Sequence, residues 1–235
     1  MKRYLIILFF IIFIQNIQPQ ISTSIYLETG ENYASSGLYS DITGSFSATI
    51  KHWQIETSAG ITLTKARENI FNALSFDLSR TFKIREIPFS AKVFYQWKPF
   101  SERLHEQNAG FIFTYNKMRF GYHLGFNTRF FNLTNQQTDM YNYEQTVIWE
   151  PINLMYKITY TYPFSDKFDF RASITNFDAF IIQQETNPML ITNLIYHISQ
   201  SSRFNLGIGY LQSGLMNMRV NYFGYFIRGG VQWDL

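Results

Sequence analysis

Apolar and polar residues alternate along about twelve segments of the sequence, most of them about nine to thirteen residues long. The last segment, FGYFIRGGVQWDL, places its apolar side chains on alternate positions: Phe223, Tyr225, Ile227, Val231, Trp233 and Leu235. A period of two predicts a β-strand with one apolar and one polar face. Ordinary strands average about 5–6 residues, whereas strands that cross a bilayer need about 9–11. The pattern therefore predicts membrane-crossing strands whose apolar faces meet lipid.

A sheet in lipid must close on itself, because every backbone N–H and C=O there needs a partner within the protein. We therefore predict an all-β protein: a closed antiparallel transmembrane β-barrel of about 12 strands in up-and-down meander order, covering residues 21–235. The final strand is expected to pair with the first, near Ile21 to Leu27. Asn116-Lys117 is predicted to form a tight turn. Pro151 indicates a bulge in one long strand or a strand that begins near Leu154, because proline cannot donate to a ladder.

The composition fits strands that are apolar on one side and wet on the other. Aromatic residues make up 19% of the chain and charged residues 16%, against about 25% charged in a typical globular domain. There is no cysteine, which excludes disulfides and thiolate metal sites. The four histidines show no metal-ligand spacing, so no metal or cofactor is expected.

The first twenty residues have the layout of a secretory signal peptide. Lys2 and Arg3 precede an apolar run from Tyr4 to Ile14, and a polar stretch follows. The run is too short for a membrane-spanning helix, which needs about 20 residues, so an N-terminal anchor is the less favoured alternative. We therefore predict that residues 1–20 are cleaved. Cleavage leaves 18 basic and 17 acidic residues, a nearly neutral protein for which no nucleic-acid partner is expected.

The final strand also carries a resemblance to a known class. The alternation of Tyr225, Ile227, Val231, Trp233 and Leu235 resembles the C-terminal strand of bacterial outer-membrane β-barrel proteins. The resemblance covers residues 21–235, and the abundance of Ile, Asn, Phe and Tyr is typical of AT-rich Gram-negative genomes such as those of the Bacteroidota. It implies an integral protein of the cell outer membrane, surrounded by outer-membrane lipid. It also implies that the barrel assembly machinery reads those five residues as an insertion signal.

A soluble secreted β-sandwich or a lipocalin-like barrel is the alternative fold. In that fold the Phe and Tyr residues of the apolar faces would form a core. The number and length of these faces argue against it, because a soluble barrel of eight strands would leave several of them unburied.

The polar faces of the strands are predicted to line the interior of the barrel. The inward residues on this register are Glu56, Asp77, Lys92, Arg119, His123, Asn127, Arg129, Lys157, Asp169, Arg171 and Arg228, with Asp41 and Lys51 on the same side. Charges of both signs are compatible with a narrow hydrated channel or with a lumen plugged by salt bridges. The leading functional prediction is a porin-like channel for small polar solutes. The alternative is a non-conducting structural or accessory subunit of a larger outer-membrane complex, with envelope proteins as partners.

An enzymatic function is a minor alternative. His197 and Ser199 in YHISQSS resemble the His-x-Ser pair of outer-membrane phospholipases and lipid A deacylases, in which a base lies beside a hydroxyl. Gln200 stands where those enzymes have Asn, and the expected topology places His197 at the periplasmic end, whereas they act at the outer leaflet. We therefore expect no enzyme, with a lipid hydrolase as the remaining possibility.

Overall fold

The computed structural model describes residues 19–31, 37–64, 70–85, 87–99, 104–133, 147–177, 184–212 and 222–235. They form twelve β-strands: β1 (Gln20–Glu31), β2 (Tyr39–Ile50), β3 (Trp53–Thr62), β4 (Phe71–Ile84), β5 (Ile87–Pro99), β6 (Leu104–Lys117), β7 (Phe120–Leu133), β8 (Val147–Ser165), β9 (Phe168–Phe177), β10 (Gln184–His197), β11 (Ser202–Gln212) and β12 (Tyr222–Asp234). Of the expected signal peptide, residues 1–18 lie outside the described part of the chain.

Each strand pairs antiparallel with its neighbours in chain order, and β12 pairs with β1. The prediction of a closed, up-and-down, twelve-stranded antiparallel barrel is confirmed. The closing pair also lies where it was expected, with Ile25 opposite Val231 and Thr23 opposite Trp233. No helix in the described residues is long and apolar enough to cross a membrane.

The outer wall of the barrel is apolar because every second side chain of each strand points outward. Six large outward residues of β6 and β7 are 39–55% exposed: Phe111, Phe113, Phe120, Tyr122, Leu124 and Phe126. Soluble monomers rarely expose a continuous apolar surface of this extent, whereas a lipid-facing barrel requires one. The barrel is therefore a transmembrane barrel, and the soluble alternatives are not supported by its outer surface.

The lipid-facing assignment of Leu124 leads to a stability prediction. Leu124 is 55% exposed on the outer face. We expect Leu124→Arg to lower the free energy of unfolding in lipid vesicles by about 2–4 kcal/mol if residue 124 lies near mid-membrane, because a guanidinium in hydrocarbon loses its hydration. Leu124→Phe is the matched control and should leave the stability nearly unchanged. Urea unfolding followed by tryptophan fluorescence would measure both, and equal stabilities would contradict the assignment.

The short connections between strands all lie at one end of the barrel, which we call the turn end. Ile50 pairs with Trp53, Ile84 with Ile87 and Lys117 with Phe120, so each of these connections has two residues. The ends of the described chain, at β1 and β12, lie at the turn end as well. The opposite end, the loop end, carries the longer connections.

The tight turn between β6 and β7 differs from the prediction. The turn residues are Met118 and Arg119 instead of Asn116 and Lys117, and Met118 has φ of 54°. Asn116 continues the strand and pairs with Gly121. This register suits the two residues, because the Asn116 side chain fills the space over Gly121, 2.9 Å from where a Cβ would lie. Arg119 consequently leaves the inward face of β7.

Pro151 lies within β8, which runs unbroken from Val147 to Ser165. The ladder between β7 and β8 shifts register between Asn127 and Arg129, opposite the proline. One long strand with a bulge was one of the two predicted solutions and is confirmed. The bulge lets proline occupy the sheet because the position does not need an N–H donor.

Candidate functional site: a polar chamber in the lumen

A cavity of about 320 Å³ occupies the half of the lumen nearest the turn end. One wall carries the hydroxyls of Ser22 and Ser24 on β1 and of Ser45 and Ser47 on β2. Ser24 Oγ and Ser45 Oγ lie 2.7 Å apart and share a hydrogen bond. These small polar residues lie on inward positions of adjacent strands, so they leave room beside the wall. We call this cavity the chamber.

The charged residues of the chamber are mainly basic. Its lining contains four cations and one carboxylate: Lys92, Lys157, Arg171, Arg228 and Glu56. Lys92 Nζ lies 2.8 Å from Asp77 Oδ2 on the adjacent strand. Lys157 and Arg171 come from β8 and β9. The chamber is therefore a polar, water-accessible space with an excess of positive charge among the groups that line it.

An ion pair closes the seam between the first and last strands. Arg228 Nε donates to Glu28 Oε2 at 2.7 Å, and Nη2 of the same guanidinium also contacts that oxygen. Tyr39 donates its hydroxyl proton to Glu28 Oε1 at 2.7 Å. Glu28 is 7% exposed, so this carboxylate is buried but accepts hydrogen bonds on both oxygens. Nearer the turn end, Gln232 Nε2 donates to Ser22 Oγ between the same two strands.

Apolar side chains pack in the lumen next to the chamber, toward the loop end, and one of them, Ile191, also lines the chamber. Phe94, Ile112, Met155 and Phe177 form one buried cluster, and Met189, Ile191, Leu211 and Phe226 form another. All eight are 0–6% exposed although they point into the barrel. Gly209 makes space for the Phe226 ring, because a Cβ there would lie 2.1 Å from a ring carbon. We call this level the filled layer, since side chains leave little room for water in it.

Polar residues nearer the loop end are also packed and paired. Arg129 lies 2.6 Å from Glu106 and 3.3 Å from Glu150, measured between guanidinium nitrogens and carboxylate oxygens. Asn127 Nδ2 donates to Asn108 Oδ1 at 2.7 Å, and both side chains are 1–3% exposed. Among the described residues, the lumen thus shows an open polar chamber toward the turn end and packed side chains toward the loop end.

The histidines do not form the hydrolytic pair suggested by YHISQSS. His197 Nε2 lies 2.9 Å from Asp169 Oδ2, across the β9–β10 ladder. The Ser199 hydroxyl instead shares a hydrogen bond of 2.7 Å with Ser202. His123 Nδ1 lies 2.9 Å from Thr114 Oγ1. The base and the hydroxyl expected of a hydrolase are therefore engaged with other partners, within turns and strand pairs.

Five of the eleven predicted lumen residues line the chamber: Glu56, Lys92, Lys157, Arg171 and Arg228. By the alternation of their strands, Asp77, His123, Asn127, Arg129 and Asp169 share the inward face, whereas Arg119 does not. Its guanidinium carbon lies 4.9 Å from the centroid of the Tyr162 ring, on the outer face of the barrel. Of the two further inward candidates, Asp41 is fully buried, whereas Lys51 is an exposed turn residue with φ of 57°. Both misplaced cations are turn residues, to which the alternation of the strands does not extend.

The sequence interpretation did not single out the carboxylates Glu28 and Glu106, or the apolar residues of the filled layer. Phe94 could have been noticed, because it shares its face of β5 with Lys92 and Gln96. An aromatic residue on an otherwise polar face signals packing inside the barrel. No local signal links Glu28 to Arg228, which lie 200 positions apart in the sequence.

No family model matches the sequence, and no curated protein matches it. Solved structures do share its architecture. The NanC porin is 13% identical with a TM-score of 0.55, over 90% of this chain and 100% of that one. The KdgM porin in complex with disordered oligogalacturonate is 11% identical with a TM-score of 0.52, over 90% and 99%. An outer membrane channel from Pseudomonas putida F1 is 7% identical with a TM-score of 0.51, over 92% and 96%. The chain therefore has the closed-barrel fold of these outer-membrane channel proteins.

Proposed function

We propose that the protein is an integral outer-membrane channel for small polar solutes, with a preference for anions. The chamber is the observation that carries this proposal: a polar space of about 320 Å³ whose lining contains four cations and one carboxylate. Fixed charges along a narrow pathway select for solutes of the opposite sign. The three similar structures named above are porins or channels, and one of them was solved in complex with disordered oligogalacturonate.

The direction of insertion follows from the class of fold. Outer-membrane barrels have short turns on the periplasmic side and longer loops outside the cell. The turn end, and with it the chamber, would then face the periplasm. The predicted signal peptide fits export to that compartment. A non-enzymatic role is supported by the separate partners of His197 and Ser199.

The filled layer sets the conducting behaviour that we expect. Met155 and Phe94 are 0% and 4% exposed, and we infer that these packed side chains narrow the pathway and move aside when a solute passes. Conductance of the native protein should therefore be small and intermittent. This assigns the filled layer the role of a constriction between the chamber and the loop end.

Planar-bilayer recordings of the purified protein test the proposal. Met155→Ala and Phe94→Ala should each raise the single-channel conductance or the open probability, because they shorten side chains in the constriction. Leu154→Ala is the matched control: Leu154 is the outward neighbour of Met155, 50% exposed, and its truncation should leave the current unchanged. Reversal potentials in a salt gradient should show anion preference, weakened by Lys157→Glu.

Heat-modified mobility on gels would establish that each variant is folded before it is recorded. If the native protein and both constriction variants are folded but silent, the channel proposal fails. That result would favour a non-conducting subunit of a larger envelope complex.

A further inference from the structure

We infer that the turn end of the barrel binds the phosphate groups of anionic phospholipids along one half of its circumference. The site is a crescent of cations on three consecutive tight turns and the strands beside them: Lys51, Arg80, Lys83, Arg85, Lys117 and Arg119. The six residues of these three connections include three of the cations and one acidic residue, Glu86. We call this set the basic crescent.

Outward aromatic rings fix the depth of the basic crescent in the membrane. Six rings run across β4 to β8 near the turns, with neighbouring centroids 5.1–6.2 Å apart: Phe82, Phe89, Tyr115, Tyr122, Phe120 and Tyr160. Aromatic belts of membrane proteins lie at the level of the lipid headgroups. Cations beside or just beyond this belt are therefore level with the headgroup phosphates.

Two guanidinium groups lie within this interfacial zone, on the outer wall. Arg80 lies over the Trp53 ring, with 5.1 Å from the guanidinium carbon to the ring centroid, and Arg119 lies over Tyr162 at 4.9 Å. A guanidinium held on a ring keeps N–H donors available at its edge, and it binds phosphate oxygens through two parallel hydrogen bonds. Both groups point away from the lumen, so a solute in the chamber does not meet them.

Two further cations occupy strained turn positions. Lys51 and Arg85 have φ of 57° and 48°. Glycine and asparagine adopt this conformation with less strain, and hairpin turns prefer them there. The hairpins thus carry long basic side chains at positions where local geometry favours small residues. A binding role for the charge would account for these two residues, whereas Met118, which has φ of 54° in the β6–β7 turn, is uncharged.

The other half of the turn end is different in charge. The β8–β9 turn holds Asp166 and Lys167, β9 begins beside Asp169, and β12 ends at Asp234. The β10–β11 turn carries Ser199, Gln200 and Ser201, and no charged residue lies between Ile198 and Arg203. Positive charge is therefore concentrated on β2 to β7 and is not a general property of this end. That asymmetry predicts a localised lipid site instead of a uniform shell.

Native mass spectrometry of the full-length protein in mild detergent tests the inference. The probe is an equimolar mixture of phosphatidylglycerol and phosphatidylethanolamine with the same acyl chains. We expect the native protein to retain phosphatidylglycerol preferentially. Each cation near an anionic lipid surface contributes about fivefold, so Arg80→Gln with Arg119→Gln should lower the preference by more than tenfold. Lys167→Gln removes a turn cation from the other half and should leave it unchanged.

A second pair of variants guards against misfolding. Lys51→Asn and Arg85→Asn relieve the turn backbone and should lower the lipid preference without harming heat-modified mobility. Two results would overturn the inference: a native protein without preference, or crescent variants that keep it. Co-sedimentation with peptidoglycan that is lost in the Arg80 and Arg119 variants, while their lipid preference stays intact, would assign the basic crescent to that polymer and refute the lipid site.

Discussion

Deletion of Val231 to Leu235 is expected to abolish assembly of the barrel. The deleted segment contains the residues that pair with Ile25 and Thr23 on β1, and its last N–H donates to Ile21 O at 2.7 Å. Without it, β1 and β11 would present unpaired backbone groups to lipid, where each costs several kcal/mol. Heat-modified mobility and the amount of protein in the outer-membrane fraction would measure the loss.

Point variants separate ladder closure from recognition of the C-terminus. Gly229→Ala keeps every backbone pair and lies outside the five residues of the insertion signal. It should assemble normally, because a Cβ there would meet no atom closer than 3.9 Å. Trp233→Ala also keeps the ladder; if the assembly machinery reads this strand, as the resemblance implies, the variant should assemble poorly in cells but refold in detergent. The deletion should fail in both settings. Native levels of the truncated protein would refute the role assigned to Tyr225, Ile227, Val231, Trp233 and Leu235.

Arg129→Ala should destabilise the barrel by about 3 kcal/mol, near the lower end for breaking a buried ion pair. Arg129 lies 2.6 Å from Glu106, whose side chain is only 3% exposed, and removal of the guanidinium leaves that carboxylate buried without its cation. Urea unfolding in lipid vesicles would measure the change.

The double variant Arg129→Ala, Glu106→Gln is the sharp control. It removes the unpaired charge and should recover much of the lost stability, because the coupling between residues in contact is not additive. Glu150 is 44% exposed, so Glu150→Gln should change the stability by less than about 1 kcal/mol. If Arg129→Ala leaves the free energy of unfolding unchanged, the ion pair makes no net contribution to stability. Packing of the surrounding side chains would then account for the stability of this part of the barrel.

The proposed function and the lipid site rest on different surfaces. The chamber and the filled layer belong to the inside of the barrel, whereas Arg80 and Arg119 lie on its outer wall. Loss of conductance and loss of lipid preference can therefore be measured in separate variants. Failure of one proposal leaves the other intact.

The architecture could be predicted because alternation is a local property. A strand between lipid and a polar interior alternates apolar and polar side chains from one residue to the next. The alternation in β6 and β7 therefore predicts both the strand and the face that points outward. Closure followed from the need to pair the last strand in lipid, and Val231 opposite Ile25 agrees with it. The missing N–H of Pro151 left two solutions, a bulge or a later strand start, and the structure has the bulge.

Turn positions could not be read from the same pattern. The choice between Asn116-Lys117 and Met118-Arg119 depends on how Asn116 fits over Gly121 across the hairpin. A turn shifted by two residues leaves the alternation of apolar and polar side chains in both strands unchanged. The local pattern therefore does not distinguish the two turn positions. Arg119 and Lys51 were misplaced for this reason.

The sequence by itself determined which side chains share a face, because a period of two couples neighbours along one strand. Only the tertiary structure decided which inward residues meet across the lumen, because closure brings together strands that are far apart in the chain. Glu28 meets Arg228, and Phe94 meets Met155 and Phe177, through the curvature and register of the whole sheet. The division of the lumen into an open chamber and a filled layer belongs to that second kind of information.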